Sequence, residues 1–288
     1  MHTLIEQLIA AGPVVTDGAW GTQLQERGLE VGACPDGWNL EHPERVEEVA
    51  RAYVEAGSRI ILTNTFGANR FTLARHDVAD RVAEINRAGV EISRRAASGR
   101  AKVFASLGPS GKMLMMGEVT ADDLRSAFCD QARAMADAGA DAIVVETMTD
   151  LDEAVLAVEA AKATGLPVVG CMTFEPKKQY RTIMGNTPED AVRRLTDAGV
   201  DVIGSNCGQG IESFVPLCQR LKAAASVPVW IKANAGLPEV IDDRVVYAQT
   251  PEQFASFAPA LVAAGASFLG GCCGTTPEFV AALVRAAG

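Results

Sequence analysis

What this 288-residue sequence lacks narrows its function first. It has no basic block. With 26 Lys and Arg against 36 Asp and Glu, its net charge of -10 disfavours a phosphate backbone or an anionic membrane as partner; small molecules are expected instead, with no nucleic acid and no membrane. No stretch approaches the roughly 18 uninterrupted apolar residues of a membrane span. The first fifteen residues place no basic segment ahead of an apolar one, so a soluble cytoplasmic protein is expected. Histidine is scarce: His2, His42 and His76 all lie away from the predicted strand ends, which deprives a Ser-His-Asp or Cys-His mechanism of its base. There is also no Ser/Gly/Pro-rich linker, composition shift or long repeat, and one domain over residues 1–288 is expected.

What is present is an alternation. Apolar, β-branched runs at 14–17, 59–63, 102–106, 142–146, 167–173, 201–205, 228–233 and 267–271 are each followed by a turn and an Ala-rich amphipathic segment. The helices are expected near 43–56, 77–97, 120–138, 150–164, 187–198, 211–224, 250–264 and 276–287. Gly57, Gly139, Gly165, Gly199 and Gly265 stand where a helix ends in a left-handed residue. Pro43, Pro188, Pro251 and Pro277 suit a first helical turn, with Thr187, Thr250 and Thr276 as N-caps. Strands apolar along their whole length, joined by helices, fit an α/β fold of one closed (β/α)8 TIM barrel. A doubly wound open sheet is the alternative, because periodicity does not reveal closure.

A barrel gathers its active site at the carboxyl ends of its strands. That is where polar, glycine-flanked residues fall: Asp17-Gly18-Ala19-Trp20-Gly21-Thr22, Asn64-Thr65-Phe66-Gly67, Gly108-Pro109-Ser110-Gly111, Glu146-Thr147, Asn206-Cys207-Gly208, Asn234-Ala235-Gly236 and Cys272-Cys273-Gly274. Cys207 follows the sixth run and Cys272 and Cys273 the eighth, and barrel closure would bring the three together. Three thiolates suit Zn²⁺ with one position left open, as in a catalytic site. The competing readings are buried thiols serving as small apolar residues, and a vicinal disulfide. Cys34, Cys129, Cys171 and Cys218 are scattered and read as core or incidental. Asp17 and Glu146 can receive an ammonium group, and the turn amides at Gly18, Ala19 and Trp20 can hold a carboxylate, which together describe an α-amino acid site. Turn capping for Asp17 and a structural ion pair for Glu146 are the bland alternatives. Asn64 and Asn206 suit loop support by hydrogen bonding, whereas the Asn234 amide oxygen is placed to reach the metal when substrate is absent. Trp20 and Trp38 suit packing or the border of a cation or flat cofactor, and Lys177, Lys178 and Arg181 a solvated loop. The Gly108–Lys112 segment has the wrong glycine spacing for a phosphate loop.

Asp17-Gly-Ala-Trp-Gly-Thr22, Asn64-Thr-Phe-Gly-Ala-Asn69, Gly204-Ser-Asn-Cys-Gly208, Asn234-Ala-Gly-Leu-Pro238 and Gly270-Gly-Cys-Cys-Gly-Thr-Thr-Pro277 together resemble the homocysteine S-methyltransferase family over nearly the whole chain. Within the family the motifs are most similar to the homocysteine-binding module of cobalamin-dependent methionine synthases, and Trp20 departs from the expected pattern. The resemblance implies a (β/α)8 barrel and Zn²⁺ on Cys207, Cys272 and Cys273. It implies homocysteine held through its amino group by Asp17 and Glu146 and through its carboxylate at Gly18 and Ala19, with Asn206 and Asn234 also in the substrate site. The implied reaction methylates homocysteine to methionine, the zinc activating the thiol so that no protein base is needed. Folate-binding and cobalamin-binding modules are not part of the sequence, so the expected methyl donor is a small onium compound or a methylated corrinoid protein in trans. A zinc-dependent barrel hydrolase or lyase, and a non-catalytic thiol or zinc sensor, are the alternatives.

Overall fold

The computed structural model describes residues 2–241 and 244–287. Its strands, in chain order, are β1 (Val14–Val15), β2 (Ile60–Ile61), β3 (Lys102–Leu107), β4 (Ala142–Met148), β5 (Val168–Met172), β6 (Val202–Gly210), β7 (Val229–Asn234), β8 (Pro238–Ile241), β9 (Arg244–Tyr247) and β10 (Ala266–Gly271). Eight of them form one parallel sheet in the order β1-β10-β7-β6-β5-β4-β3-β2. A parallel bridge between Thr16 and Ile60, with the Arg59 N–H donating to Val15 O at 2.9 Å, joins the two ends. The sheet therefore closes into the (β/α)8 TIM barrel, and the open-sheet alternative is excluded. Each of the eight apolar runs became a barrel strand. No helix among the described residues is long and apolar enough to cross a membrane.

Side-chain alternation builds two cores. Along β7, Trp230 joins the barrel interior while Ile231 and Ala233 face the surrounding helices, as the two-residue strand period requires. Trp230 lies 6.1 Å from the Phe104 ring and 5.2 Å from that of Phe268, filling the lower barrel with aromatic side chains. The helix Thr3–Ile9 buries Ile5 and Leu8 in the same interior cluster and stops its amino-terminal end. With the lower layers filled, the next inward positions, near the carboxyl ends of the strands, are free to be polar.

Helix punctuation largely follows local chemistry. Gly57, Gly139, Gly165, Gly199 and Gly265 all have positive φ, and Thr187 and Thr250 each form a capping box. Three helices depart from expectation, the one at 211–224 only in that Ile211–Ser213 winds as a 3₁₀ turn before the α-helix begins at Phe214. The segment at 77–97 becomes helical only at Val82, because Asp77 is left-handed and Ala79–Arg81 winds as a 3₁₀ turn. The segment at 250–264 splits into Pro251–Ala255 and Ala258–Ala263, since Pro259 has no N–H to continue the first ladder. The antiparallel β8–β9 pair, and the helix Thr3–Ile9, had no counterpart in the sequence reading.

Candidate metal centre

Two register irregularities shape the rim. β6 slips against β7 between Asn206 and Gly210, and β4 slips against β5 between Val145 and Met148. Such bulges re-aim side chains. At each, a non-glycine residue turns left-handed: Cys207 at φ 62° and Thr147 at φ 60°. This conformation is costly for a β-branched residue and persists only where the surroundings hold it. Asn206 supplies that hold, its Oδ1 accepting the Thr147 N–H at 2.7 Å and its Nδ2 donating to Thr147 Oγ1 at 2.7 Å. The same amide reaches Glu146 Oε2 at 3.2 Å.

The bulge turns Cys207 toward the pair that follows β10. Cys207 Sγ and Cys273 Sγ are 3.8 Å apart, and the three sulfurs of Cys207, Cys272 and Cys273 lie within 4.8 Å of one another. Among the described residues this is the one group with metal-holding geometry. A tetrahedral metal with metal–sulfur bonds of about 2.3 Å requires sulfur–sulfur separations of about 3.8 Å. The three are free thiols, and their closeness to one another pulls the Cys207 pKa down while raising that of Cys272. The set thus already favours thiolate at one sulfur, and it can hold a metal ion. Asn234 acts on Cys207, lowering its pKa, and its buried Oδ1 has no partner. An orphaned buried oxygen beside three thiols is what a fourth ligand would look like before the metal arrives.

The β8–β9 pair supplies a residue that the sequence reading missed. Tyr247 stands close enough to Cys273 for the two groups to shift each other's pKa. Burial, with the negative charge of the thiol group, pushes the Tyr247 hydroxyl pKa well above its ordinary value. Its ring lies over Gly274, where an added Cβ would meet Tyr247 Cβ at 2.7 Å.

The acidic side of the site lies across the barrel mouth. Ser106 Oγ donates to Glu146 Oε1 at 2.5 Å, and burial pushes the Glu146 pKa up against the lowering effect of the Lys232 charge. Asp17 is 0% exposed, and three donors hold its carboxylate: Trp20 Nε1 at 2.8 Å, Leu62 N at 2.6 Å and Lys232 Nζ at 2.5 Å. Lys232, on β7, was not singled out from sequence, although a lysine in phase with Trp230 within an apolar run was the available signal. Burial works to lower its pKa, but the charges of Asp17 and Glu146 outweigh that and hold it protonated. Gly18 packs against Thr275 and the Tyr53 hydroxyl, while the Ala19 N–H donates to Thr275 Oγ1 at 3.1 Å. Ala19 therefore does not present the free amide expected of it.

Of the remaining candidates, Trp20 touches the site through Asp17 and the others fall outside it. Trp20 ties to Asp17, and Trp38 packs edge-on to His42 at 4.7 Å under Arg45. Asn64 supports a loop through Pro35 O and Asn39 Oδ1. Lys178 pairs with Glu175 at the surface, and Cys171 and Cys218 are core residues.

A family model described as homocysteine S-methyltransferase matches residues 14–287. The chain belongs to that family. As a homocysteine S-methyltransferase family member it is 33% identical over 295 residues to the methionine synthase of Mycobacterium leprae, covering 95% of this chain and 24% of that protein. It is 34% identical over 288 residues to the methionine synthase of Mycobacterium tuberculosis, covering 93% of this chain and again 24% of the relative. The chain thus spans about a quarter of the length of these two relatives. Its fold is similar to that of the homocysteine methyltransferase MmuM of Escherichia coli in its metallated form, with a TM-score of 0.81 and 24% identity over 95% of this chain and 96% of that one.

Proposed function

We propose that the protein binds Zn²⁺ through Cys207, Cys272 and Cys273 and transfers a methyl group to the sulfur of homocysteine, giving methionine. The observation that carries this reading is the three-sulfur cluster at metal-binding spacing beside the unpartnered Asn234 Oδ1. When bound, zinc would supply the Lewis acidity that keeps an acceptor thiol ionised near neutral pH.

The chain's own residues position the reactants. Glu146, with Asp17 behind it, gives the acidic side that receives the acceptor's ammonium; the Gly18 and Trp20 N–H groups are the turn amides left for its carboxylate. Asn206 fixes Glu146 and Thr147, and Asn234 is the side chain that yields as the acceptor sulfur enters. The sulfur lone pair forms the new S–CH₃ bond while the donor leaves with the electron pair of the broken one. The thiol proton is released to solvent, so the scarcity of histidine is no obstacle. Holding both reactants in line accounts for several kcal/mol of the barrier. The donor is a small onium compound or a methylated corrinoid protein. The seven free cysteines suit a reducing compartment, the cytoplasm.

The test is a donor screen with zinc-loaded protein and homocysteine, following methionine by mass spectrometry over many turnovers. Multiple-turnover methionine with at least one donor is expected. Binding of homocysteine without turnover across both donor classes would support the non-catalytic sensor instead.

A further inference from the structure

Tyr53 lies behind the site and meets two of the turns that form it. It belongs to the helix Pro43–Glu55 and is 0% exposed. Its hydroxyl donates to Ala19 O at 2.6 Å and lies 3.2 Å from Thr275 O, so its single proton is shared between the turn that follows β1 and the turn that follows β10. Thr275, equally buried, completes the tie: its Oγ1 accepts the Ala19 N–H at 3.1 Å and donates to Cys272 O at 2.7 Å. The contact leaves no slack. A Cβ at Gly18 would meet Thr275 Oγ1 at 2.7 Å and the Tyr53 hydroxyl at 2.8 Å. The Tyr53 bond also orients a donor, because no peptide bond among the described residues is cis and a trans peptide points its C=O and its N–H in opposite directions. With Ala19 O drawn toward Tyr53, the Trp20 N–H of the same peptide faces away from that helix. Burial, with the Asp17 charge, pushes the Tyr53 hydroxyl pKa well up, so it stays a donor.

We infer that Tyr53 is a positioning residue that sets the length of the acceptor: through Ala19 and Thr275 its hydroxyl fixes the spacing between the turn amides that take the acceptor's carboxylate and the cysteine pair that holds the ion its sulfur joins. The inference rests on the proposed homocysteine reading and deepens it. Homocysteine carries one methylene more than cysteine between its α-carbon and its sulfur. A rigid spacing suits only one of these thiols, whereas a turn released from its tie can move toward the ion and admit the shorter one. Tyr53 touches neither reactant and acts only through the two turns.

The experiment measures, by calorimetry on zinc-loaded protein, the ratio of the Kd of cysteine to that of homocysteine, with zinc content determined after each titration. A wild-type ratio of about tenfold or more is expected, the discrimination that one methylene commonly gives. Tyr53→Phe keeps the ring and removes the hydroxyl; its ratio is expected to fall about fivefold or more with zinc content unchanged. Thr275→Val should fall likewise, while Thr275→Ser, which keeps the hydroxyl, should hold the wild-type ratio. Val49→Ala trims the same helix within the outer core without touching the tie, and it too should hold the ratio. A smaller fall in Tyr53→Phe, loss of its zinc, or an equal fall in Val49→Ala overturns the inference. Should Tyr53→Phe not fold, the Thr275 pair decides: a fall in Thr275→Val alone supports the inference, and equal ratios in the two variants overturn it. Absence of homocysteine binding to the wild type overturns the proposed function and this inference with it. A wild type that binds homocysteine and cysteine alike overturns the inference alone.

Discussion

Cys207 and Cys273 stand 66 positions apart in sequence, yet their sulfur atoms lie 3.8 Å from each other. The bulge in β6 and the left-handed backbone at Cys207 make this approach possible. Maintaining that strain is reasonable where three sulfurs must converge on one ion.

Replacing Cys207, Cys272 or Cys273 by Ala is expected to abolish stoichiometric zinc binding and methyl transfer while leaving the barrel folded. The cluster sits on the rim, above a separately filled interior core. Metal analysis together with circular dichroism checks this, and an active, metal-free variant would refute the zinc role.

Glu146→Gln keeps the shape of the side chain and removes its charge. A hydrogen bond to a charged group contributes about 1.5–3 kcal/mol. The KM for homocysteine should therefore rise roughly tenfold to a hundredfold with zinc content unchanged. Steady-state kinetics beside metal analysis separates this from general damage to the site.

Gly274 has φ 79°, and a Cβ there would collide with the Tyr247 ring. Gly274→Ala is expected to cost about 1–3 kcal/mol of stability. It should also weaken metal retention, because relieving the clash with Tyr247 shifts the backbone that carries Cys273. Denaturant titration and a chelator competition assay read the two effects.

Asp36 carries a pH dependence away from the metal site. Its Oδ1 accepts the Gly67 N–H at 2.9 Å, and burial pushes its carboxyl up to about 7. The folded state thus keeps a proton that the unfolded chain releases near pH 4. The associated stability is complete below about pH 4, declines as pH rises toward about 7, and is absent above it. Asp36→Asn mimics the protonated form. It should match the wild type near pH 4 and exceed it at pH 8 by an amount on the order of a few kcal/mol. Urea midpoints at the two pH values give the result.

Much of the barrel was legible because its signals are local. Glycines such as Gly57 and Gly199 mark helix ends, Thr187 and Thr250 mark starts, and each apolar run is long enough to be a strand. The cysteine trio was legible because a Cys-Cys pair between glycines is poor packing material and strand order brings it to Cys207. Lys232 and Tyr247 were not. Lys232 meets Asp17 at a separation of 215 residues, a contact that exists only once the barrel closes. The residues leading to Tyr247 were assigned to no element, because two four-residue strands carry too little periodicity to separate from a turn. Asp17 was identified as a site residue, but its partners are distant in sequence and its engagement by Lys232 could not be read from it.

The most direct test of the account is X-ray absorption at the zinc edge with and without homocysteine. Three protein sulfurs and one oxygen or nitrogen ligand are expected without the thiol, and four sulfurs with it. A zinc shell that homocysteine leaves unchanged, or a metal that does not bind these three cysteines, would contradict it.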